Sequence, residues 1–476
     1  MIFNISWKNV WRNKTRSLVV VIAVTLGLIG GVFSGAIMVG MVKQRVYTAI
    51  NNEVSHIQIH HPDYFANKEI QYTFPFHEIV DFAEQQDGVR SIAVRSKVMA
   101  MANTSGNAGT GIMVYGINPE QEKATTKIYN LILEDAGTYF DSESKLPSVV
   151  ISQKLAKKLN VVNFKLTDKS FEILEKHEKP EFIEKARKLK DVLFRREKDF
   201  IHALEDSLQV KLSQKQLYNF TNAALEYKLR SKIVISFVGT HGDLVQSAFR
   251  ISGIYKTTNS MFDEMNVFIK KSELDALAGI EANQSHEIAI LCNDFKSSAN
   301  AYKELKAKFP GLSVQEWSDL QPDLKMTTEY MNVYFYILTI FILLALGFGI
   351  VNTMLMAILE RIKELGMLMA VGMNKVRVFK MIMLESVFLT ITGGITGIII
   401  STFLVLILGN TGIDLRALYG DGLEAVGYSA LIYPEISLKY LIGTTILVIL
   451  TGIVAAIYPA RKAVKLNPAE AVRTDN

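Results

Sequence analysis

Residues 331–366 read MNVYFYILTIFILLALGFGIVNTMLMAIL followed by ERIKELG, and the change of character within them is abrupt. The first 29 residues, Met331–Leu359, carry no charge. A membrane helix needs about 20 apolar residues to cross the hydrocarbon core, so this run can cross with some tilt. The charged residues that follow must lie in water or against another protein. We therefore predict a membrane helix that ends in a short charged segment, which suits the transmission of movement better than catalysis.

Three further runs lack charge and have similar lengths, namely Leu18–Val42, Ser386–Ile413 and Tyr440–Ala460. The apolar stretch of a cleaved signal peptide has roughly 7–15 residues, and the first run is much longer, so we predict a retained helix. The sequence thus predicts a membrane protein with four transmembrane α-helices, at residues 17–43, 331–359, 385–413 and 437–460.

Glycines repeat every four residues in two of these helices, a small-xxx-small pattern that lets helices approach closely. The residues predicted to pack helices together are Gly27, Gly31, Gly35, Gly393 and Gly397. The pattern leaves open whether the partner helix belongs to the same chain or to a second one.

Residues 44–330, between the first two membrane helices, combine strand and helix patterns without the regular spacing of a parallel sheet. Strands are predicted at Val89–Met101 and Gly111–Ile117, on either side of a turn at Asn103–Gly109, and a helix is predicted at Phe76–Gln86. We therefore predict a large α+β domain.

One part of this domain, residues 168–230, is dense in Lys and Glu and nearly free of Gly and Pro. Its helical spacing of Leu, Ile and Phe indicates two or three helices inserted into the domain. Charged runs of this kind are typical of solvated faces, and a docking arm for a partner is the alternative.

Orientation follows from the positive residues. Residues 1–16, the predicted coupling segment at 360–380 and the tail at 461–476 are rich in Lys and Arg, whereas the loop at 414–436 is mostly acidic. The positive-inside rule places the three basic segments, and both termini, in the cytoplasm. The α+β domain and the acidic loop then lie on the outer side.

The first 16 residues are amphipathic, because Phe3, Trp7, Val10 and Trp11 fall on one helical face. Tryptophan is enriched at the headgroup level, so we predict an interfacial cytoplasmic helix. A disordered basic leader is the alternative.

Glu385 lies at the start of the third predicted span, next to the predicted coupling segment. It either anchors the coupling segment or extends its carboxylate to the membrane interface.

The composition argues against several classes of function. A net charge of +5 spread along 476 residues does not indicate nucleic-acid binding. The single cysteine, Cys292, excludes an intrachain disulfide and is predicted to pack in a core. The spans hold almost no ionisable residue, which argues against an ion or proton path through the bilayer.

Catalytic motifs are also missing from the sequence. It contains no G-x-x-x-x-G-K-[ST] phosphate loop and no G-x-S-x-G. His286 and Glu287 match the first two positions of the zinc-protease motif H-E-x-x-H, but Ile290 occupies the position of the second histidine. The adjacent His60 and His61 are predicted to be surface residues. We predict no catalytic residue, no cofactor and no metal site in this chain, so any energy must come from another protein.

The segment Glu360–Gly372, ERIKELGMLMAVG, resembles the coupling segment of the FtsX/MacB-like ABC transporter permeases, a family that includes lipoprotein-releasing permeases. Other stretches that resemble the same family are Trp7–Lys14, Tyr115–Glu120, Gln315–Trp317, Tyr458–Ala463 and Leu466–Arg473.

This resemblance implies a homo- or heterodimer of permease chains bound to a cytoplasmic ABC ATPase dimer, with ATP and Mg held by the ATPase. The residues expected to couple to the ATPase are Glu360, Arg361, Lys363, Glu364, Leu365, Gly366, Met369 and Gly372. The first two membrane helices would carry the movement to the outer domain.

The resemblance further implies a multi-pass protein of the bacterial inner membrane with a periplasmic domain. The expected function is the release of lipoproteins from that membrane. MacB-type efflux of peptides or drugs is one alternative, and FtsX-type mechanical signalling to an envelope hydrolase or regulator is the other. An apolar groove on the outer domain would favour an amphiphile, and a charged arm would favour a protein partner.

Overall fold

The structure is a computed structural model of the 476-residue chain, and it describes residues 2–12, 14–104, 109–140, 147–176, 178–419 and 422–465. The predicted turn at 103–109 lies partly outside the described residues. The C-terminal motif at 466–473 lies wholly outside them, as do residues 13 and 421.

The α-helices of the described residues are α1 (Ile2–Arg12), α2 (Lys14–Thr48), α3 (Tyr64–Asn67), α4 (His77–Glu84), α5 (Pro119–Thr125), α6 (Gln153–Lys158), α7 (Asp168–Glu175), α8 (Pro180–Ala186), α9 (Glu197–Leu208), α10 (Gln214–Ala223), α11 (Ser260–Met265), α12 (Lys271–Ala278), α13 (Phe295–Lys308), α14 (Trp317–Leu320), α15 (Pro322–Glu360), α16 (Ile362–Ala370), α17 (Lys375–Thr411), α18 (Arg416–Tyr419), α19 (Gly422–Ala425) and α20 (Leu438–Val464). A π-helical turn (Ala49–Val54) continues α2, and 3₁₀ turns occur at Ile128–Leu131 and Arg187–Leu189.

The strands of the described residues are β1 (Ile57–His60), β2 (Phe74–Pro75), β3 (Val89–Asn103), β4 (Thr110–Ile117), β5 (Ile132–Gly137), β6 (Ser148–Ser152), β7 (Val162–Phe164), β8 (Leu225–Tyr227), β9 (Lys232–Val238), β10 (Leu244–Tyr255), β11 (Asn266–Lys270), β12 (Gln284–Ser285), β13 (Glu287–Cys292), β14 (Ser313–Glu316), β15 (Ile413–Asp414) and β16 (Leu431–Ile432).

The chain divides into two compact units. The helical unit comprises Met1–Lys43, Met326–Ile413 and Leu431–Asn476, and the α+β unit comprises Gln44–Lys325 and Asp414–Ala430. The acidic loop at 414–436 is predicted from the sequence as a separate segment, but most of it belongs to the α+β unit. Within that unit Lys256 Nζ lies 3.2 Å from Glu424 Oε2, so an ion pair holds the loop.

Four helices of the described residues are long and apolar enough to cross a membrane, in the segments Ser17–Val54, Pro322–Glu360, Lys375–Thr411 and Leu438–Val464. The predicted architecture of four transmembrane helices with an α+β domain between the first two is thereby confirmed. The helices extend beyond the apolar runs, because polar residues continue the backbone hydrogen bonding. As a result, residues 375–380 of the predicted coupling segment form the first turns of α17.

Close contacts between the membrane helices depend on the glycines that the sequence singled out. A Cβ atom on Gly31 would lie 2.6 Å from Thr444 of α20, and one on Gly35 would lie 2.6 Å from the Phe335 ring of α15. The other three face residues of this chain at 2.8–3.0 Å: Gly27 faces Leu346, Gly393 faces Val24, and Gly397 faces Leu28. The close approach that these glycines allow is therefore within one chain.

The α+β unit contains a ten-stranded mixed sheet in which six strands close on themselves. Around the ring the neighbours are β3, β4, β11, β6, β10 and β9, and β9 pairs with β3 again. The pairs β4–β11 and β6–β10 are parallel, and the other four pairs are antiparallel. A ring of this size has room inside for side chains only, and Val98, Val114, Val149, Ile235 and Ile251 fill it.

The helices α7–α10, at residues 168–230, share the hydrophobic core of this barrel. Phe171, Phe200, Leu204 and Phe220 are buried in the same cluster as the inward residues of the strands. The sequence indicated two or three helices here, and the structure has four, because Pro180 begins a new helix. The insertion is thus more than a solvated arm, since its apolar faces complete the core of the barrel.

The histidine of β1 corrects another expectation from the sequence. His60 is fully buried, with Nδ1 2.9 Å from the carbonyl oxygen of His286 and Nε2 2.9 Å from Gln58 Oε1. The prediction that His60 is a surface residue is wrong, because β1 lies between β13 and β14 and every residue of the strand is buried.

Cys292 is buried in a hydrophobic cluster, as the sequence suggested.

Candidate functional site

The predicted coupling segment forms the short helix α16 in the helical unit. Arg361 leaves helical geometry, with φ −103° and ψ 16°, so α16 starts as a separate helix after α15. Leu365 and Gly366 are buried, and Met369 packs beside them against the hydrophobic cluster that also holds α17 and α20. One face of α16 is thus fixed to the bundle by apolar contacts.

A glycine determines the direction in which the chain leaves α16. Gly372 has a φ of +101°, a backbone conformation that residues with a Cβ atom rarely adopt. The turn is closed by Met373 N, which donates to the carbonyl oxygen of Leu368 at 2.9 Å. Asn374 then caps α17, its side chain accepting from Val376 N at 3.1 Å. Gly372 therefore has a role in the backbone turn.

Ion pairs join α16 to two other helices. Arg361 donates to Glu364 Oε2 at 3.1 Å and to both oxygens of Glu385 at 3.3 and 3.1 Å. Asn9 of α1 donates to Glu385 Oε1 at 2.8 Å. Arg361 and Glu385 are 18 and 13 % exposed, so this pair is largely shielded from solvent.

The outer part of the cluster links α1 to α16. Arg12 forms an ion pair with the carboxylate of Glu364, and both side chains are about half exposed. The hydrogen bond from Arg12 lowers the pKa of Glu364 below its ordinary value, Arg361 adds to this, and partial burial opposes it. Glu364 thus stays ionised and receives two guanidinium groups from different helices.

These residues surround a cavity of about 290 Å³ in the helical unit. Its lining includes the side chains of Arg12, Glu360, Arg361, Glu364 and Glu385. Two guanidinium groups offset two of the three carboxylates there, so the cavity carries no more than one unbalanced negative charge. Its geometry suits a charged joint between helices better than a ligand site.

The opposite side of α16 carries exposed apolar residues. Val371 is 90 % exposed and Met367 is 53 % exposed, and Val376 follows at the start of α17. Lys363 is exposed on the same short helix. Exposed apolar side chains that lie side by side make this side of α16 the candidate surface for binding another protein.

The structure therefore separates the eight residues that the sequence grouped together. Arg361, Glu364 and Glu360 surround the charged cavity, Leu365, Gly366 and Met369 face the bundle, Lys363 is exposed, and Gly372 shapes the turn. Sequence reasoning did not select Asn9 and Arg12 of α1 or the exposed Met367 and Val371. The spacing of Asn9 and Arg12 on one side of an amphipathic helix was the signal available for the first two.

A second polar cluster lies inside the α+β unit and is closed to solvent. Arg95 donates to both oxygens of Glu122 at 2.9 and 2.8 Å and to Glu287 Oε1 at 2.6 Å, and Lys97 pairs with the same Glu287. Burial alone would raise the pKa of Glu287, but Lys97 and Arg95 outweigh it and hold the value at about 2. Every charge is paired, which is typical of a structural network.

Burial lowers the pKa of His60 and of His286, in each case to about 4, so both are neutral at pH 7. Within the described parts of the chain no group of three or more His, Cys, Asp or Glu residues is arranged to hold a metal ion.

Comparisons with known proteins agree with the motifs of the sequence. The FtsX-like permease C-terminal family matches residues 336–468, which include α16 and most of the residues around the charged cavity. An uncharacterised ABC transporter permease of Methanocaldococcus jannaschii is 27% identical over 243 residues, which are 49% of this chain and 57% of that protein.

Two export proteins are also similar over part of the chain. The macrolide export ATP-binding/permease protein MacB of Bdellovibrio bacteriovorus is 30% identical over 34% of this chain and 22% of its own length. The pyoverdine export ATP-binding/permease protein PvdT of Pseudomonas entomophila is 32% identical over 28% of this chain and 17% of its own length. The chain thus spans a little over half of the archaeal relative and about a fifth of these two.

Two solved structures are similar to about half of the chain. The extracellular domain of the ABC-type transporter YknZ from Gram-positive bacteria matches 55% of this chain, with 14% identity and a TM-score of 0.29. The periplasmic region of MacB from Actinobacillus actinomycetemcomitans matches 59%, with 10% identity and a TM-score of 0.30. Residues 336–468 thus match the FtsX-like permease C-terminal family, and the relatives described above confirm the resemblance of this chain to the FtsX/MacB-like ABC transporter permeases.

Proposed function

We propose that this chain is the permease subunit of an ABC transporter in which a separate cytoplasmic ATPase moves the α+β unit. The observation that carries the proposal is the geometry of α16. Its buried face and its ion pairs fix it to the bundle, while Met367 and Val371 remain exposed. Because one side of α16 is fixed to the bundle and the other side is exposed and apolar, a protein bound to the exposed side would move the bundle when it moves.

In this proposal the ATPase dimer holds ATP and Mg, and two permease chains, identical or different, bind to it. The basic segments around α1 and α16 lie in the cytoplasm of a bacterial cell, because positive residues favour that side of the inner membrane. The α+β unit then lies in the periplasm. The central parts of the four spans lack ionisable residues, so movement of helices, and not an ion path, carries the energy.

The favoured action is the release of a membrane-anchored amphiphile, in particular a lipoprotein, from the inner membrane. Export of small compounds is the second candidate, and it is supported by the relatives that are named for macrolide and pyoverdine export. Mechanical signalling to an envelope hydrolase or regulator is a third. It has less support, because the charged insertion at 168–230 contributes its apolar face to the barrel core.

The experiment that tests the proposal is purification of the full chain from native membranes in detergent, followed by mass spectrometry of the bound proteins. The variant Val371→Asp is purified in parallel. We expect an ABC ATPase to accompany the wild-type chain and to be lost from the variant. Recovery of no ATPase with the wild-type chain would overturn the proposal. The additional presence of lipoproteins would support release, and a bound hydrolase would support signalling.

A further inference from the structure

Part of the outer side of the barrel in the α+β unit carries exposed side chains, whereas Tyr115 of β4 and Tyr255 of β10 are buried on that side in a cluster with Phe262 of α11. Side chains alternate between the two faces of a strand, so inward and outward residues can be read from burial. In β9 the residues Ile233, Ile235 and Phe237 are buried, whereas Lys232 and Val238 are exposed. The outward residues of β9, of the end of β3 and of the beginnings of β4 and β10 therefore form one surface on the side opposite the core.

The strand register brings the outward residues of these four strands together. Met99 of β3 is paired with Met113 of β4, and Met101 is paired with both Gly111 of β4 and Ser236 of β9. The remaining outward pairs join β9 to β10, in the order Val238–Leu244, Ser236–Gln246, Val234–Ala248 and Lys232–Arg250. We call this surface the outer barrel face.

Large apolar side chains dominate one end of the outer barrel face. Leu244 is 69 % exposed, Met99 and Val238 are both 55 % exposed, and Met101 is 48 % exposed. Exposed apolar residues that lie side by side, unlike scattered ones, indicate a binding surface. Methionine is flexible and polarizable, so it adapts to an apolar ligand of variable shape.

The polarity of this face changes along β9 and β10. It is apolar at Val238 and Leu244, neutral in the middle, and cationic at Lys232 and Arg250. Neither cation forms an ion pair with a carboxylate among the residues that the structure describes. Lys232 and Val238, at the two ends of β9, are six positions apart, which is about 20 Å at roughly 3.3 Å per residue. At the far end, beyond Leu244, the turn carries Asp243, which would repel an anionic head group.

We propose that the outer barrel face binds an anionic amphiphile, whose apolar tail lies on Met99, Met101, Val238 and Leu244 and whose head group lies at Lys232 and Arg250. The inference deepens the proposed function, on which it rests, by naming the class of substrate and its site. The distribution of charge on this face favours such a ligand. Its two cations lie at one end of an uncharged apolar surface, and an anionic amphiphile has its charge at one end of an apolar tail.

The test uses the full chain in nanodiscs of phosphatidylcholine, without ATP and without the ATPase. The probe is lysophosphatidylglycerol with a photoactivatable diazirine in its acyl chain, and the reference probe has a choline head group instead. After illumination, labelled peptides are identified by mass spectrometry. We expect labelling of peptides that contain residues 97–103 and 234–248. The anionic probe should label at least about tenfold more than the zwitterionic one.

Two variants and a matched control make the test specific. Leu244→Asp should reduce labelling at least about tenfold, because it places a charge in the apolar end. Lys232→Gln combined with Arg250→Gln should remove the preference for the anionic probe and leave labelling by the zwitterionic one unchanged. Val210→Asp, at a residue that is 52 % exposed elsewhere in the unit, should behave like the wild type. Hydrogen exchange of the barrel strands verifies that each variant is folded.

Labelling that is confined to other peptides, or that is unchanged in folded Leu244→Asp, would overturn the proposal. So would efficient disulfide formation between two chains of a Leu244→Cys variant, since it would place a second copy on this face. Because no ATPase is present, the result is independent of the proposed function. Labelling at the outer barrel face by a chain that binds no ATPase would retain the site and refute the coupling.

Discussion

Arg361, between α15 and α16, donates to both carboxylate oxygens of Glu385 in α17, at 3.3 and 3.1 Å, and the two residues are 24 positions apart in the sequence. Their side chains are only 18 and 13 % exposed. This contact ties the start of the short helix α16 to the third membrane helix. It gives the candidate coupling site a fixed point, and the predictions for that site follow from it.

Removal of one partner of this pair should be more harmful than removal of both. Arg361→Met leaves the carboxylate of Glu385 with a single donor, Asn9, in a poorly solvated place, and we expect a loss of about 1–3 kcal/mol of stability. Arg361→Met combined with Glu385→Gln leaves no unpaired charge and should be closer to the wild type. Thermal unfolding of the detergent-solubilised chain measures both. A double variant whose loss equals the sum of the two single losses would contradict a direct pair.

The pair between Arg12 and Glu364 should affect coupling and leave stability nearly unchanged. Both side chains are about half exposed, and exposed ion pairs contribute less than about 1 kcal/mol. We expect Glu364→Arg to reduce the ATPase activity of the assembled transporter, because α16 is no longer held by α1. Exchanging the charges, with Arg12→Glu and Glu364→Arg together, should restore much of that activity. Lys8→Glu, on the same helix α1, is the control and should have no effect. Failure of the exchange to restore activity would argue against the link.

The exposed end of α16 should be needed for binding the ATPase and not for folding. Val371 is 90 % exposed, so Val371→Asp removes no buried contact and should shift the free energy of unfolding by less than about 0.5 kcal/mol. The same substitution should abolish co-purification of the ATPase. Leu418→Asp, at a residue that is 77 % exposed in the α+β unit, is the matched control. Equal loss of the ATPase in both variants would mean that the effect is not specific to α16.

The helices at 168–230 should be needed for folding of the α+β unit. Phe200 is fully buried in the barrel core, so Phe200→Ala should cost about 3–5 kcal/mol. Val210→Ala, at an exposed position, should change stability by less than about 0.5 kcal/mol. Deletion of residues 168–230 should leave the barrel core exposed and give an unfolded or protease-sensitive unit. A protease-resistant deletion variant would show that the barrel folds without these helices.

The buried histidines should make the α+β unit less stable in mild acid. The ordinary pKa of 6.5 falls to about 4 for both His60 and His286, because burial disfavours the charged form. Between pH 6.5 and 4 the unfolded chain therefore binds more protons than the folded one, and stability decreases as the pH falls. Glu287, with its pKa held at about 2 by Lys97 and Arg95 against the effect of burial, adds a further loss below its ordinary value of 4.5.

Hydrogen exchange of peptides that cover residues 57–60 and 284–292 measures this effect at pH 7 and pH 5. Protection should be lower at pH 5, and the difference should shrink in His286→Gln. The control is His61→Asn, at the partly exposed neighbour of His60. A difference in protection that is unchanged in His286→Gln would refute the assignment of the effect to this histidine.

The sequence alone determined the membrane architecture, because the length and charge of an apolar run are local properties. Met331–Leu359 indicated a span without knowledge of its neighbours, and the motif at Glu360–Gly372 indicated the coupling segment. The same local patterns indicated the mixture of strands and helices in the α+β unit. They also located the glycines at which helices pack, but not which helix each glycine faces.

The tertiary structure alone decided which distant residues meet. Arg12 and Glu364 are 352 positions apart, and no periodicity in the sequence predicts their contact. The barrel closes because β9 pairs with β3, more than a hundred residues earlier, and the apolar faces of α7–α10 are buried in the same core as the strands. His60 reads as a surface residue from its neighbours in sequence and is buried by strands that come later in the chain. Burial and pairing depend on which segments the whole fold brings together, so local sequence patterns cannot specify them.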